Sequence, residues 1–514
     1  MAQVTISTKK TITVNDVWSV AKDKAKVSID KSTEEKINAS RNLVSQFSQG
    51  DKIVYGINTG FGNLQDRKIK KSQIKQLQKN LIRSHSTGVG DYHTETEARA
   101  IMFVRLVSLA QGYSGVRLEI VRKLAELLNK RVYPYIPSQG SVGCSGDLAP
   151  LSHMALVLIG EGKTVKDDGQ IKPSKIILRK LKIKPIKLEE KEGLALNNGT
   201  AVMTAIASLN IKRAAYLLKI ADIAGAMTLD SLIGVTDAFN KDIQSVRPHQ
   251  GHLTVIKNFK KLYRNSQVMK LNKREGKVQD AYSLRCIPQV HGAIRDALSH
   301  NQSVIETEIN SVTDNPLVYP SKHKIISGGN FHGEPIALSM DFLGIALTDL
   351  GNISERRVFR ILTPGLNEGL PPFLTGSKSA GLNSGLMLVQ YTAASLLAEN
   401  KIYSHPASVD SIPTSADQED HVSFGTIAAN KCRKIIDNLE YILAIELLCA
   451  CQAADFRKPL SLGKGNQIVY NKIREFVKKT INDREPYEDI NKIKELIDND
   501  SLISSLGKNN ISIN

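Results

Sequence analysis

Five long segments of helical periodicity fill the second half of this chain, at about 200–236, 288–312, 333–361, 383–404 and 422–454. Loops rich in Gly, Pro and Asn divide them at 313–335 and 363–382. Apolar residues recur in these segments at the three-to-four-residue spacing of one helix face. Consecutive helices of this length bury that face by lying along one another, so a mainly α long-helix bundle is expected rather than an α/β sheet. At 514 residues the chain exceeds what one simple core organises. The expected division is an N-terminal domain (1–200), the central bundle (201–460) and a more polar helical C-terminal extension (461–514).

Upstream of the bundle the pattern is mixed. Residues 3–14 alternate like a short hairpin, and Asn15 is placed to cap a helix. Ser32-Thr33-Glu34-Glu35 reads as a capping box that opens a helix stopping at Gly50. Segments 71–84, 94–112 and 116–130 carry helical spacing, while 163–190 is the one convincing strand region, turning at Asp168-Gly169. Three Gly- and Asn-rich loops (53–62, 138–147 and 326–335) interrupt the helices, and structured loops on a rigid scaffold are where chemistry collects.

The stretch Gly140-Ser141-Val142-Gly143-Cys144-Ser145-Gly146-Asp147-Leu148-Ala149-Pro150 has three readings. It fits a turn entering a helix, with Asp147 as cap and Pro150 in the first turn. It fails as a serine-nucleophile elbow, because the spacing is G-x-S-G and no strand immediately precedes it. It also fits backbone cyclisation. The nitrogen of Gly146 attacks the carbonyl carbon of Cys144 and closes a five-membered ring. Loss of water and then of the Ser145 hydroxyl leaves an exocyclic methylidene, an electrophile no ordinary side chain offers. Glycine at 146 removes the Cβ that would obstruct this approach, and Gly143 relaxes the entry to the turn. Turn composition alone favours the first reading.

Resemblance favours the third. GSVGCSGDLAPLSH is similar to the signature of the aromatic amino acid ammonia-lyases, in which an Ala-Ser-Gly triplet becomes 4-methylidene-imidazol-5-one (MIO). The likeness runs from about residue 50 to 455 through YGINTGFG (55–62), KEGLALNNGT (191–200), VQDAYSLRC (278–286), TDNP (313–316), ISGGNFHGEP (326–335) and HPASVDSIPTSADQEDHVS (405–423). It implies a long-helix bundle of the aspartase/fumarase type with an N-terminal MIO-bearing domain. It also implies a homotetramer in which neighbouring chains complete each site, and elimination of ammonia from an L-amino acid. Cys144 departs from the family's alanine, but its side chain lies outside the ring-forming atoms.

The resemblance implies roles residue by residue. The triplet Cys144, Ser145 and Gly146 supplies the electrophile. Asn198 hydrogen-bonds near it and Gln279 supports the same region. Arg285 clamps the substrate carboxylate, a task suited to a planar bidentate donor. Tyr55 is the first candidate for the base and Tyr282 the second. An ordinary tyrosine is only about one part in a thousand ionised at neutral pH, so either needs a positive field. Phe331 packs beside the electrophile. Ser84-His85 and Glu419 resemble the members that deaminate histidine, and a carboxylate with an imidazole can hydrogen-bond an imidazole ring where a phenyl ring would leave both unpaired. L-Histidine, giving trans-urocanate, is therefore the expected substrate. The same chemistry on tyrosine or phenylalanine is the nearest rival. Asn197 and Asp417 also depart from the family and can reshape the pocket.

The formal net charge of +18 raises a nucleic-acid-binding alternative, a basic helical protein keeping an inactive lyase scaffold. Lysines are scattered along the whole chain and aromatics make up only 5%, with no basic-aromatic stripe, so a solvated surface fits better. The apolar stretches near 214–236 and 435–454 are broken by charges, no basic-plus-apolar leader opens the chain, and the five cysteines show no disulfide spacing. A cytoplasmic protein is expected. His153, His291, His332, His405 and His421 lack metal-site spacing, so hydrogen-bonded or packing histidines and no metal are expected.

Overall fold

The five periodic segments fold as the helices Ala201–Ser231, Ile287–Ile309, Glu334–Leu362, Met387–Tyr403 and Gly425–Phe456. The computed structural model describes residues 2–50, 53–60, 62–64, 67, 69–165, 169–271, 278–376 and 381–514; Phe61 of the YGINTGFG block and Asp168 of the expected turn lie outside them. Two compact units emerge. One comprises Met1–Lys212, Asn301–Asp341 and Pro406–Asn430, the other Arg213–His300, Phe342–His405 and Lys431–Asn514. Both are discontinuous, whereas the expected division at 200 and 460 was contiguous.

The first unit holds the described strands. Gln3–Ile6 pairs in parallel with Lys26–Ile29, not with its own neighbour as a hairpin would. Between them, Thr13 rather than Asn15 caps the helix Val14–Ala21, through a capping box with Asp16, a device of about 1 kcal/mol. The next helix, Lys31–Gln49, is likewise opened two residues early by Asp30, which accepts from the Thr33 N–H at 2.7 Å. The 163–190 region is only partly strand. Lys163–Val165 pairs with Ile171–Pro173 and with Tyr133–Pro134, and Ser174–Lys180 is a helix. Val89–Tyr92 pairs antiparallel with Pro137–Gln139, and that second strand delivers the chain into the 140–147 loop.

The second unit is helical among its described residues. Its interior carries charge held in pairs: Arg357 Nε lies 2.6 Å from Glu446, and Asp222 accepts from Arg295 at 2.6 Å and contacts the His291 ring at 2.8 Å. The C-terminal extension folds as Lys464–Arg474, Pro486–Asp498 and Ser501–Lys508. It joins this core, with Arg474 on Asp455 at 2.7 Å and Asn466 on Asp230 at 3.0 Å. By length and composition one described helix, Glu334–Leu362, could cross a membrane, but 72% of its most apolar window is buried inside the protein.

Candidate active site

Gly140–Asp147 is held as a shaped loop by contacts that only small residues permit. Gly143 and Gly146 have φ of +71° and +74°, the region an L side chain avoids. A Cβ on Gly146 would sit 2.2 Å from the Gly199 carbonyl carbon, and one on Gly143 would sit 2.4 Å from Ser423 Oγ. The backbones of 145–147 and 199 are paired: Gly199 N donates to Ser145 O at 3.0 Å and Asp147 N to Gly199 O at 2.8 Å. Among the described residues the Gly146 nitrogen donates no hydrogen bond.

Asp147 is the fully buried anchor of this loop. It stands at the start of the helix Leu148–Leu158 but does not cap it. Its Oδ2 instead accepts from the Val202 and Met203 N–H groups, each at 2.9 Å, at the start of Ala201–Ser231. Oδ1 accepts from Ser141 and Thr426. Burial pushes the carboxyl above its ordinary range, while these donors oppose the shift. The starts of two more helices crowd in here. A Cβ on Gly425 would meet Met203 Sδ at 2.6 Å and Gly333 O at 3.3 Å, and Phe424 N donates to Val142 O at 2.9 Å. The first turns at Ala201, Glu334 and Gly425 thus bring their positive ends to one place.

A cavity of about 220 Å³ opens beside the loop, lined among others by Ser84, His85, Thr87, Ser141, Cys144 and Gly146. Ser84 and His85 end the helix Ile74–His85, and their side chains touch at 3.0 Å. Burial lowers the His85 pKa, so the ring is neutral at pH 7 and offers one donor and one acceptor. Cys144 is half-buried. Burial first, and the Glu419 carboxylate hydrogen-bonded to it second, push its thiol up to about 12. Glu419 sits in a turn whose backbone is paired with Thr414, so it does not cap the following helix. Asp417, at φ +63°, is exposed in that turn. Tyr55 Oη accepts from Gly62 N at 3.4 Å. Burial, with Glu419 and Asp314 adding to it, raises the phenol above its ordinary range, and the Gly62 N–H opposes them.

Asn198 is buried one residue before Gly199, with its nitrogen on Asp314 Oδ1 at 3.3 Å and Asn315 O at 3.1 Å. Neighbouring Asn197 is fully buried and donates to Ser152 Oγ at 3.1 Å. Phe331 is half-buried in the turn before Glu334–Leu362. The remaining three candidates lie in the second unit as a group of their own. The Arg285 guanidinium stacks 4.6 Å over the Tyr282 ring and donates to Gln279, and Tyr282 is 69% exposed.

Among the described residues one group, His332, Glu334 and His421, brings three potential ligand atoms within 4.8 Å of one another. His332 Nδ1 accepts from Glu334 N at 3.3 Å, which leaves Nε2 as the protonated nitrogen, 3.3 Å from His421 Nδ1. That is a hydrogen-bonded pair at a helix start, where a cation is disfavoured. His153 accepts from Gly88 N, and His291 pairs with Asp222. Sequence reasoning missed the anchoring role of Asp147 and a buried Lys191–Asp314 pair. Both could have been flagged as charges inside apolar, Gly-rich blocks.

A model of the aromatic amino acid lyase family matches residues 12–475. A histidine ammonia-lyase of Caldanaerobacter subterraneus subsp. tengcongensis is 51% identical over 486 residues, 95% of either chain. Among solved structures, histidine ammonia-lyase from Trypanosoma cruzi superimposes with a TM-score of 0.91 at 40% identity, covering 98% of this chain and 95% of that one. Tyrosine aminomutase from Streptomyces globisporus superimposes with a TM-score of 0.95 at 38% identity, covering all of both.

Proposed function

Since the chain belongs to the aromatic amino acid lyase family, we propose that it is a carbon–nitrogen lyase converting L-histidine to trans-urocanate and ammonia with an MIO electrophile made from Cys144-Ser145-Gly146. The observation that carries this reading is the cavity that joins Ser84 and His85 to Cys144 and Gly146. The loop fits the group: Gly143 and Gly146 both have positive φ, and the Gly146 nitrogen is uncommitted among the described residues. Cyclisation forms the bond from Gly146 N to Cys144 C and releases two waters, the second carrying the Ser145 oxygen. Once formed, MIO supplies an electrophile that makes the substrate amine a better leaving group.

The chain's own residues do the rest. His85 and Glu419 hold the substrate imidazole, with Ser84 orienting the His85 ring. Arg285, steadied by Gln279, takes the carboxylate, and Asn198 hydrogen-bonds near the electrophile. Phe331 walls the pocket. Tyr55 takes the β-proton, with Tyr282 as second candidate. The raised pKa of Tyr55 means that it is a neutral phenol at rest, and the helix starts around the loop supply the positive field that phenolate formation requires. No metal takes part.

Self-association completes the reading: a cytoplasmic homotetramer whose sites are shared between chains. Phe342, Ile345, Phe359, Leu388, Tyr391 and Ile402 are exposed on the long helices of the second unit, which favours a protein surface over water as their partner.

The test is ultraviolet absorbance of the conjugated acid after separate incubation with L-histidine, L-tyrosine and L-phenylalanine. A signal with histidine is expected; a strong signal with tyrosine and none with histidine would overturn the substrate assignment. Ser145→Ala should lower kcat by at least about a thousandfold without loss of fold. Full activity in that variant would refute the self-made electrophile.

A further inference from the structure

Three loop blocks of the first unit meet at one buried ion pair. Lys191 Nζ lies 2.7 Å from Asp314 Oδ2, and both side chains are fully buried. Lys191 stands before the helix Glu192–Asn197 with φ +71°, a left-handed conformation that L residues avoid. Its stem runs beside the Tyr55 loop: a Cβ on Gly56 would come within 3.8 Å of Lys191 Cδ. Asp314 Oδ1 accepts from Asn315 N at 2.7 Å and from Asn198 Nδ2 at 3.3 Å.

The Asn198 nitrogen therefore faces two acceptors, the Asp314 carboxylate and the Asn315 carbonyl, and a flipped amide would set oxygen against oxygen. The hydrogen-bond network fixes its orientation. The opposite atom, Asn198 Oδ1, has no partner among the described residues, although the residue is only 2% exposed. A buried amide oxygen without a donor is costly and marks a place where a donor arrives. Lys191 keeps the arrangement intact. Without that ammonium on Oδ2 the carboxylate would be free to rotate, and Oδ1 would no longer be held against the Asn198 nitrogen. The amide would then be free to turn.

We propose that Lys191 and Asp314 are a positioning pair for Asn198, fixing its amide with the nitrogen engaged and the oxygen open to an N–H donor, the substrate α-amino group. The inference rests on the proposed ammonia-lyase reading. Turnover by the wild-type full chain is measured first and tests that reading alone: inactivity on every aromatic amino acid refutes it, whereas activity lets the pair be judged separately. Asp314→Asn and the double variant Lys191→Met/Asp314→Asn are then compared. The double variant removes both charges of the pair, so Lys191 is not left as an unpaired cation; Arg105 keeps its interaction with Asp147.

In both, kcat should fall about tenfold to a hundredfold, the size of one hydrogen bond to a charged group, with the electrophile's absorbance per subunit unchanged. Asn198→Leu added to Asp314→Asn should cost little more, because the two act as one unit. A double variant within about twofold of wild-type kcat overturns the proposal. So does loss of the electrophile's absorbance in step with kcat, since the pair would then serve cyclisation instead. Full additivity with Asn198→Leu overturns it as well.

Discussion

At the scale of single residues, Cys144 is where this chain departs from its family's triplet, and its surroundings make the departure tolerable. A thiol pushed up to about 12 by burial and then by Glu419 is only about one part in ten thousand thiolate at pH 8, and the thiolate is the nucleophile. It would not compete for the proposed electrophile next to it. Alkylation by iodoacetamide at pH 8 should therefore be far slower at Cys144 than at a free model thiol, as peptide mass mapping would record; rapid labelling would contradict the protonated state. The sign of its pH dependence follows from the same shift. The folded pKa lies above the ordinary thiol value, so this residue's contribution to stability is complete below about pH 8.5 and is lost as pH rises toward 12. Cys144→Ala should melt relatively better than wild type above about pH 9. With the thiol gone, Glu419 is freed for substrate, so KM for L-histidine should fall by about twofold to fivefold, the worth of one weak S–H donor, at similar kcat. The triplet and Ser84-His85 stood out as candidates in sequence through their resemblance to the family's motifs, and both line one cavity. The role of Asp147 did not, because its carboxylate serves Val202 and Met203, more than fifty residues away.

Among the elements, the Ile74–His85 helix sets the pocket, because Ser84 and His85 are its last residues. It is pinned near that end by Glu161, which accepts from Arg83 Nε and Nη2 at 2.8 and 2.7 Å and pairs with Lys79 at 2.8 Å. Arg83 foremost holds the Glu161 carboxyl down to about 2. The folded pKa is depressed, so the stabilisation is present above about pH 4.5 and lost as pH falls toward 2. The pairs lie at the surface, with Glu161 partly exposed, so Glu161→Gln should cost less than about 1 kcal/mol in overall stability. Its effect should appear in KM for histidine, raised about threefold with kcat unchanged, since it loosens the proposed substrate-binding groups and not the proposed electrophile. An unaltered KM would show that the helix end is held by other contacts. Periodicity revealed where the helices lie, because each buries its own stripe. It could not reveal that Gln3–Ile6 pairs with Lys26–Ile29 across a helix, nor that Asp30 outcompetes Ser32 as a cap, since those outcomes depend on tertiary neighbours.

For the whole molecule, the proposed site residues fall into two sets. Tyr55, Ser84, His85, the triplet, Asn198, Phe331 and Glu419 belong to the first unit, whereas Gln279, Tyr282 and Arg285 belong to the second, with Tyr282 largely exposed. An exposed tyrosine stacked by an arginine is a surface fit for offering to another copy of the chain. Complementation tests this directly. Ser145→Ala removes the proposed electrophile and Arg285→Ala the proposed carboxylate clamp, so either variant alone should be inactive. If each site takes its triplet from one subunit and its Arg285 from another, subunits unfolded together in equal amounts and reassembled give about a quarter of their sites both groups intact, and activity should return to about that fraction of wild type. If one chain supplies both groups, every site in the mixture carries one lesion and no activity returns. Light scattering on the same samples would separate this outcome from failed assembly. Recovery near a quarter, with tetramers present, would establish that catalysis belongs to the assembly and not to the folded chain.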